Sequence, residues 1–162
     1  MKAPTEHDIR ASFINCSKGE AKRLPVPHDL AGHQWPDLDF LGWTDQRAPQ
    51  RRYLVTERDG EFVGIALRFA PGNRTKTTMC DICLTVHTGG GVAMMVAAKA
   101  GASGRVGNTV GIYLCADLGC SAYIRGTKVP ALGERIKETL PTAELAERLR
   151  SKLFRFLDRV QS

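Results

Sequence analysis

The sequence predicts an α+β fold: a small antiparallel sheet with helices at its N- and C-terminal ends. Three stretches lead there. Cys80-Asp81-Ile82-Cys83 and Cys115-Ala116-Asp117-Leu118-Gly119-Cys120 place four of the five cysteines in two close pairs. Asp59-Gly60, between extended runs at 53–56 and 62–69, is the strongest short hairpin signal in the chain. Leu145, Leu149, Leu153, Phe156, Leu157 and Val160 recur at helical spacing near the C-terminus.

In chain order, Thr5 suits an N-cap, and Glu6 and Asp8 favour the positive end of a helix. Ile9, Phe13 and Ile14 share a face of that helix with Cys16 flanking it, and Gly19 after Lys18 suits its stop. A second basic piece at 20–24 runs into Pro25-Val26-Pro27, which cannot continue a helix. Residues 25–50 read as loop, with Pro36, Pro49, Gly32 and Gly42 interrupting any regular pattern. Trp35, Phe40, Leu41 and Trp43 are too apolar for a free linker and are expected to fasten this arm to the core.

The period changes at Arg52. Residues 53–56 and 62–69 form the two arms of the Asp59-Gly60 hairpin, with Gly64 weakening the second or marking a bulge. An extended piece at 75–79 delivers Cys80. Gly89-Gly90-Gly91 is a turn without the lysine-serine/threonine ending of a phosphate-binding loop. Residues 92–98 and 109–114 are expected to pair as a hairpin across a polar loop at 101–108. The last cysteines then open a helix carrying Tyr123, Ile124 and Arg125, which Gly126 stops. Pro130 and Pro141 bracket a short helix at 131–140. Thr142 is the expected cap of the final helix, with Glu144 in its first turn. Three units result: an N-terminal helix and arm at 1–46, a zinc-binding domain at 47–128, and a C-terminal helical extension at 129–162.

The cysteine spacing carries the chemistry. A two-residue gap lets two thiolates point from one tight turn at a common centre. The four-residue gap suits a turn running into a helix. A structural Zn2+ takes four such ligands in a tetrahedron, so Cys80, Cys83, Cys115 and Cys120 are expected to hold one ion. A redox pair at Cys80/Cys83 would open a helix and needs no second pair, and two disulfides would need an oxidising compartment. His87 lies at ligand distance in sequence from Cys83, but four cysteines already complete a closed site, which leaves it a solvated or structural role. Lys76, Arg74 or Arg125 and backbone N–H groups are expected to offset the thiolate charge.

Composition narrows the function classes. The chain has 162 residues, 43 % hydrophobic and 25 % charged, which suits one globular domain with a core of its own. The first residues contain no apolar export segment, and the longest apolar run, 92–98, is far too short for a membrane span. With an odd cysteine count, this implies a reducing, cytoplasmic setting with Cys16 as a free thiol. The net charge of +6 suits work beside a polyanion or an acidic protein face. Four cysteine ligands leave zinc no open position, and neither a deaminase signature nor a G-x-S-x-G nucleophile elbow is present. The expectation is a non-enzymatic binding module with no small-molecule substrate.

Knuckle, hairpin, and a second cysteine pair opening a helix is the order of a treble-clef zinc finger. Phe13-Ile14-Asn15-Cys16-Ser17-Lys18-Gly19-Glu20, Gly107-Asn108-Thr109-Val110-Gly111-x-Tyr113-x-Cys115-Ala116-Asp117-Leu118 and Cys120-Ser121-x-Tyr123-x-Arg125-Gly126 sharpen that pattern. Over about residues 10–128 the chain resembles the elongation-factor-G-binding, FusB-type proteins. The resemblance implies a zinc domain that binds elongation factor G, with the metal shaping the surface. In the resistance members, it implies release of the factor from ribosomes on which fusidic acid has trapped it. Those members carry a helical bundle ahead of the zinc domain, for which the residues before Arg47 are too few. Asp81 and Ile82 stand here where family members place an aromatic residue between the first two cysteines. Lys99, Arg105, Arg125 and Lys128 are the expected partner contacts. A second reading has the chain bind the ribosome or rRNA through Arg47, Arg51, Arg52 and the basic last helix.

Overall fold

Thr5 does cap the first helix. Its hydroxyl accepts from the Asp8 N–H at 3.1 Å while the Asp8 carboxylate accepts from the Thr5 N–H at 2.8 Å. The computed structural model describes residues 1–71, 76–130 and 138–162. Its first elements are α1 (Glu6–Ser12) and α2 (Lys18–Arg23). The single N-terminal helix expected up to Gly19 is therefore two. Phe13 turns extended and bridges to Gly64, whose carbonyl accepts from the Ile14 N–H at 3.0 Å. Ser17 and Glu20 form a second capping box that restarts the helix, so Gly19 lies inside α2 rather than past a helix end.

The arm at 25–50 contains a short 3-10 turn at Trp35–Asp37 and a strand, β1 (Phe40–Thr44), where the sequence reads as loop. Gly42 hid that strand and is required in it. A Cβ at this position would stand 2.6 Å from the Leu118 Cβ, so only glycine admits the second cysteine turn so closely. The expected anchoring holds. Phe40 and Leu41 are buried, and the indole N–H groups of Trp35 and Trp43 donate to the carbonyls of Leu30 and Pro25.

β2 (Arg51–Arg58) and β3 (Glu61–Ala70) form the predicted hairpin, with Asp59 and Gly60 both at positive φ as a type I′ turn demands. β4 (Thr78–Met79) and β5 (Val86–His87) make a separate two-stranded ribbon around the first cysteine pair. β6 (Val92–Ala98) and β7 (Thr109–Cys115) pair as expected. The loop between them holds a short helix, α3 (Gly101–Arg105). α4 (Cys120–Arg125) ends at Gly126 in the left-handed conformation, and α5 (Thr142–Gln161) closes the chain with Pro141 at its N-cap, one residue before the predicted Thr142. The helix expected at 131–140 lies largely outside the described residues.

The main sheet runs β1-β2-β3-β6-β7, antiparallel throughout. Alternation along β2 sends Leu54 to one face and Tyr53 and Val55 to the other. The Leu54 face carries the larger core: the α5 stripe, α4 and the four cysteines all pack there. The opposite face is covered by α1, α2 and the arm. Between Ala66 and Ala98, β3 and β6 diverge. The Asn15 side chain fills that gap, donating to both carbonyls at 2.9 and 3.1 Å and accepting from the Ala66 N–H at 2.8 Å. One side-chain amide thus replaces a missing rung of the ladder.

Candidate metal centre

The first cysteine pair sits on the tip of the β4–β5 ribbon. The Cys80 N–H donates to the Thr85 carbonyl and the Leu84 N–H to the Cys80 carbonyl, both at 3.0 Å, which folds the turn back on itself. Leu84 takes a positive φ of 61°. The second pair has a similar device. β7 delivers Cys115, a turn closes with the Leu118 N–H donating to the Cys115 carbonyl at 2.9 Å, and Leu118 has φ of 57°. α4 then begins on Cys120. Left-handed leucines are strained, and here each lets a short segment turn its thiol inward. The two knuckles are also tied to each other. The Asp81 N–H donates to the Tyr113 carbonyl, and the Asp81 carboxylate accepts from the Tyr113 N–H, both at 2.8 Å.

The four sulfurs all lie within 4.8 Å of one another and all four residues are buried. The Cys80–Cys120 and Cys83–Cys115 separations are 3.7 and 3.5 Å. A tetrahedral zinc–thiolate site with bonds of about 2.3 Å has edges of about 3.8 Å. The cage therefore fits one Zn2+, and no disulfide joins the sulfurs. Cys16, half-buried on the other side of the sheet, takes no part. Hydrogen bonds from Cys115, Cys120 and Cys80 pull the Cys83 thiol far down, whereas those with Cys115, Cys80 and Cys83, together with burial, push Cys120 far up. Zinc takes its sulfur ligands as thiolates, so binding it expels the protons that the free thiols carry.

Of the expected charge partners of the thiolates, Arg125 is turned away from the cage. Arg125 is committed to Asp39 at 2.6 Å, Lys76 is exposed, and Arg74 lies outside the described residues. Among the described residues, Thr85 and His87 lie against the sulfurs. The Thr85 hydroxyl lies 3.3 Å from Cys83 Sγ, and His87 Nε2 lies 3.4 Å from Cys115 Sγ. His87 is 4 % exposed, stacks edge-on against Tyr123 and has its pKa lowered by burial, so it packs beside the cage as a structural residue. The Cys83-x3-His87 spacing was the sequence signal for it.

Asp117 joins the second knuckle to α4. Its carboxylate accepts from the Gly119 N–H at 2.9 Å, the Tyr123 hydroxyl at 2.8 Å and the Lys128 ammonium. Asp39 was missed entirely, because a lone aspartate in a proline-rich arm has no local signature. It is buried, and accepts from Arg125 and from Arg150 on α5.

The four cations predicted to meet a partner fall into two separate places. Arg125 and Lys128 flank a small cavity beside Cys83, and both are already ion-paired, to Asp39 and Asp117. Lys99 and Arg105 line a different hollow beside α3, where the Lys99 ammonium donates to the Ser162 carbonyl at 3.1 Å. Arg105 is exposed and has no ion-pair partner among the described residues.

Among the described residues, no helix is long and apolar enough to cross a membrane. Comparison with curated proteins gives no match. Among solved structures, the chain is similar to the fusidic acid resistance protein FusC, with a TM-score of 0.57 and 16 % identity, over 98 % of this chain and 58 % of that one. The chain thus spans a little over half the length of that protein, and the likeness at this identity is one of fold. A family model for the FBP C-terminal treble-clef zinc finger matches residues 8–160, taking in both knuckles, the five-stranded sheet and nearly all of α5. With the four-thiol cage assembled as that family's name requires, the chain belongs to the FBP C-terminal treble-clef zinc-finger family.

Proposed function

We propose that the chain is a non-enzymatic zinc module of the cytoplasm that docks on elongation factor G at the ribosome and promotes its release. The family match over residues 8–160 carries this reading. The surface around the knuckles supports it. Met79, two residues before Asp81, and Tyr113, hydrogen-bonded to Asp81, are 44 % and 42 % exposed, although both belong to strands. An exposed tyrosine and methionine on a rigid, metal-braced frame are residue types that anchor protein interfaces. The metal's task is to hold that frame. A closed four-thiolate site has no coordination position for a substrate.

The test is calorimetric titration of purified elongation factor G with the zinc-loaded chain. Tyr113→Ala should weaken binding by about tenfold or more, as truncation of an aromatic anchor does. Arg105→Glu should weaken it if the α3 end belongs to the interface, and unchanged affinity removes that residue from it. No heat of binding at any accessible concentration would overturn the proposal.

The ribosomal-RNA reading keeps one specific support. Lys152, Arg155 and Arg159 of α5 line a shallow hollow with Asp81, and none of the three has an ion-pair partner among the described residues. Arg52 drops out of that reading. It is 9 % exposed, stacked on Phe69 at 4.3 Å and hydrogen-bonded to the Pro49 carbonyl. Binding that falls steeply and linearly with the logarithm of salt concentration would favour RNA phosphates over a folded protein.

A further inference from the structure

On the sheet face opposite the zinc, a cavity of about 560 Å3 opens between α2 and the strands β2, β3 and β6. It holds Arg51 and Arg68, which are directly paired residues across β2 and β3. Opposed residues of an antiparallel pair share a face with Cβ atoms roughly 5 Å apart, and like charges placed so are destabilising. Arg23, at the end of α2, brings a third guanidinium to the same cavity. None of the three has an ion-pair partner among the described residues.

Two carboxylates, Glu20 and Asp45, line the same cavity and offset part of this charge. Glu20 accepts from the Ser17 N–H at 2.8 Å in its capping box, and hydrogen bonds from Ser17, followed by the charges of Arg51 and Arg23, lower its pKa. Asp45 accepts from the N–H groups of Arg47 and Ala48 through one oxygen and from the Tyr53 hydroxyl through the other. The Asn15 amide is committed to Ala66 and Ala98. Three guanidiniums thus face two carboxylates, which leaves an excess of positive charge in the cavity, and Arg51 also reaches the Tyr53 hydroxyl. Leu24, Pro25, Val96 and the ring of Tyr53 supply apolar wall.

We propose that this cavity binds a small phosphorylated ligand of about mononucleotide size. Guanidinium forks match phosphate oxygens in pairs. A volume of 560 Å3 lies within the usual range for small-molecule sites, roughly 300–1,000 Å3. A bound phosphate would turn the Arg51–Arg68 repulsion into two attractions. The concave shape and apolar wall favour a small ligand with a ring or chain over a stretch of nucleic-acid backbone.

The experiment titrates the zinc-loaded full chain at low salt with inorganic pyrophosphate, with AMP and with a short single-stranded RNA. Pyrophosphate and AMP should bind and raise the melting temperature. The double variant Arg51→Gln/Arg68→Gln should weaken both by at least about tenfold. Arg23→Gln, on the surface of α2, gives a second reading should the double variant fold poorly, and should also weaken binding. Lys2→Gln, near the N-terminus and paired with Glu57, should leave it unchanged. The proposal is overturned if neither pyrophosphate nor AMP binds at millimolar concentration. It is equally overturned if RNA alone binds, or if affinity survives the arginine changes.

Discussion

Asp39→Ala should be among the most damaging single changes outside the cysteines. The Asp39 side chain is 1 % exposed and meets Arg125 at 2.6 Å and Arg150 at 3.0 Å. Its backbone is held as well: its N–H donates to Ser121 Oγ at 3.0 Å, and its carbonyl accepts from Thr56 Oγ1 at 2.8 Å. One residue of the arm thereby pins β2, α4 and α5. Removing one partner from a buried charge pair costs about 3–5 kcal/mol, because the other charge stays buried. Arg125, 16 % exposed, would keep only the Ser121 carbonyl at 3.1 Å and the exposed Asp37 at 4.0 Å, while Arg150 is 36 % exposed and keeps Glu147 at 2.8 Å. The lower end, about 3 kcal/mol, is therefore expected for alanine. Asp39→Asn keeps shape and one acceptor and should cost about 2 kcal/mol. For a domain of this size, 3 kcal/mol lowers the melting temperature by about 6–12 °C. Urea unfolding of the zinc-loaded protein, followed by tryptophan fluorescence and circular dichroism, measures the difference. If alanine costs less than about 1 kcal/mol, the clamp is a surface contact in energetic terms and the reasoning fails.

Metal analysis should find one zinc per chain, and a chelator should lower the melting temperature and loosen the β6–β7 hairpin in hydrogen exchange. Zinc affinity should fall as pH falls, by about tenfold per pH unit for each proton that binding expels, since protons compete for the same sulfurs. Competition with a chromophoric chelator at neutral and mildly acidic pH reads this, and a pH-independent affinity would exclude thiolate ligation. Gly64→Ala should cost about 2 kcal/mol by overpacking, because its Cβ would stand 2.5 Å from Ser12 Oγ and 3.2 Å from the Phe13 ring. Denaturant midpoints equal to the parent's would show that α1 can shift away from β3.

Features set by local chemistry were legible before the fold was known. The cysteine spacing fixes which sulfurs can share an ion, Asp59-Gly60 fixes a turn, and the α5 stripe fixes which helical face is buried. Each depends on residues a few positions apart, where backbone geometry alone sets the outcome. Boundaries near glycine misled for the same reason. Gly19 and Gly42 look like interruptions locally, yet one is inside a helix and the other admits Leu118.

What tertiary structure decided is where distant charges meet. Asp39 reaches Arg125 and Arg150 across 86 and 111 positions of sequence. That pairing withdraws Arg125 from the zinc cage. The register of β2 on β3 alone sets Arg51 against Arg68. A sequence determines which groups are charged and how each short segment turns. Which charge ends beside which is settled by sheet register and helix packing, because only these bring remote residues within the few ångströms where electrostatics and hydrogen bonds act.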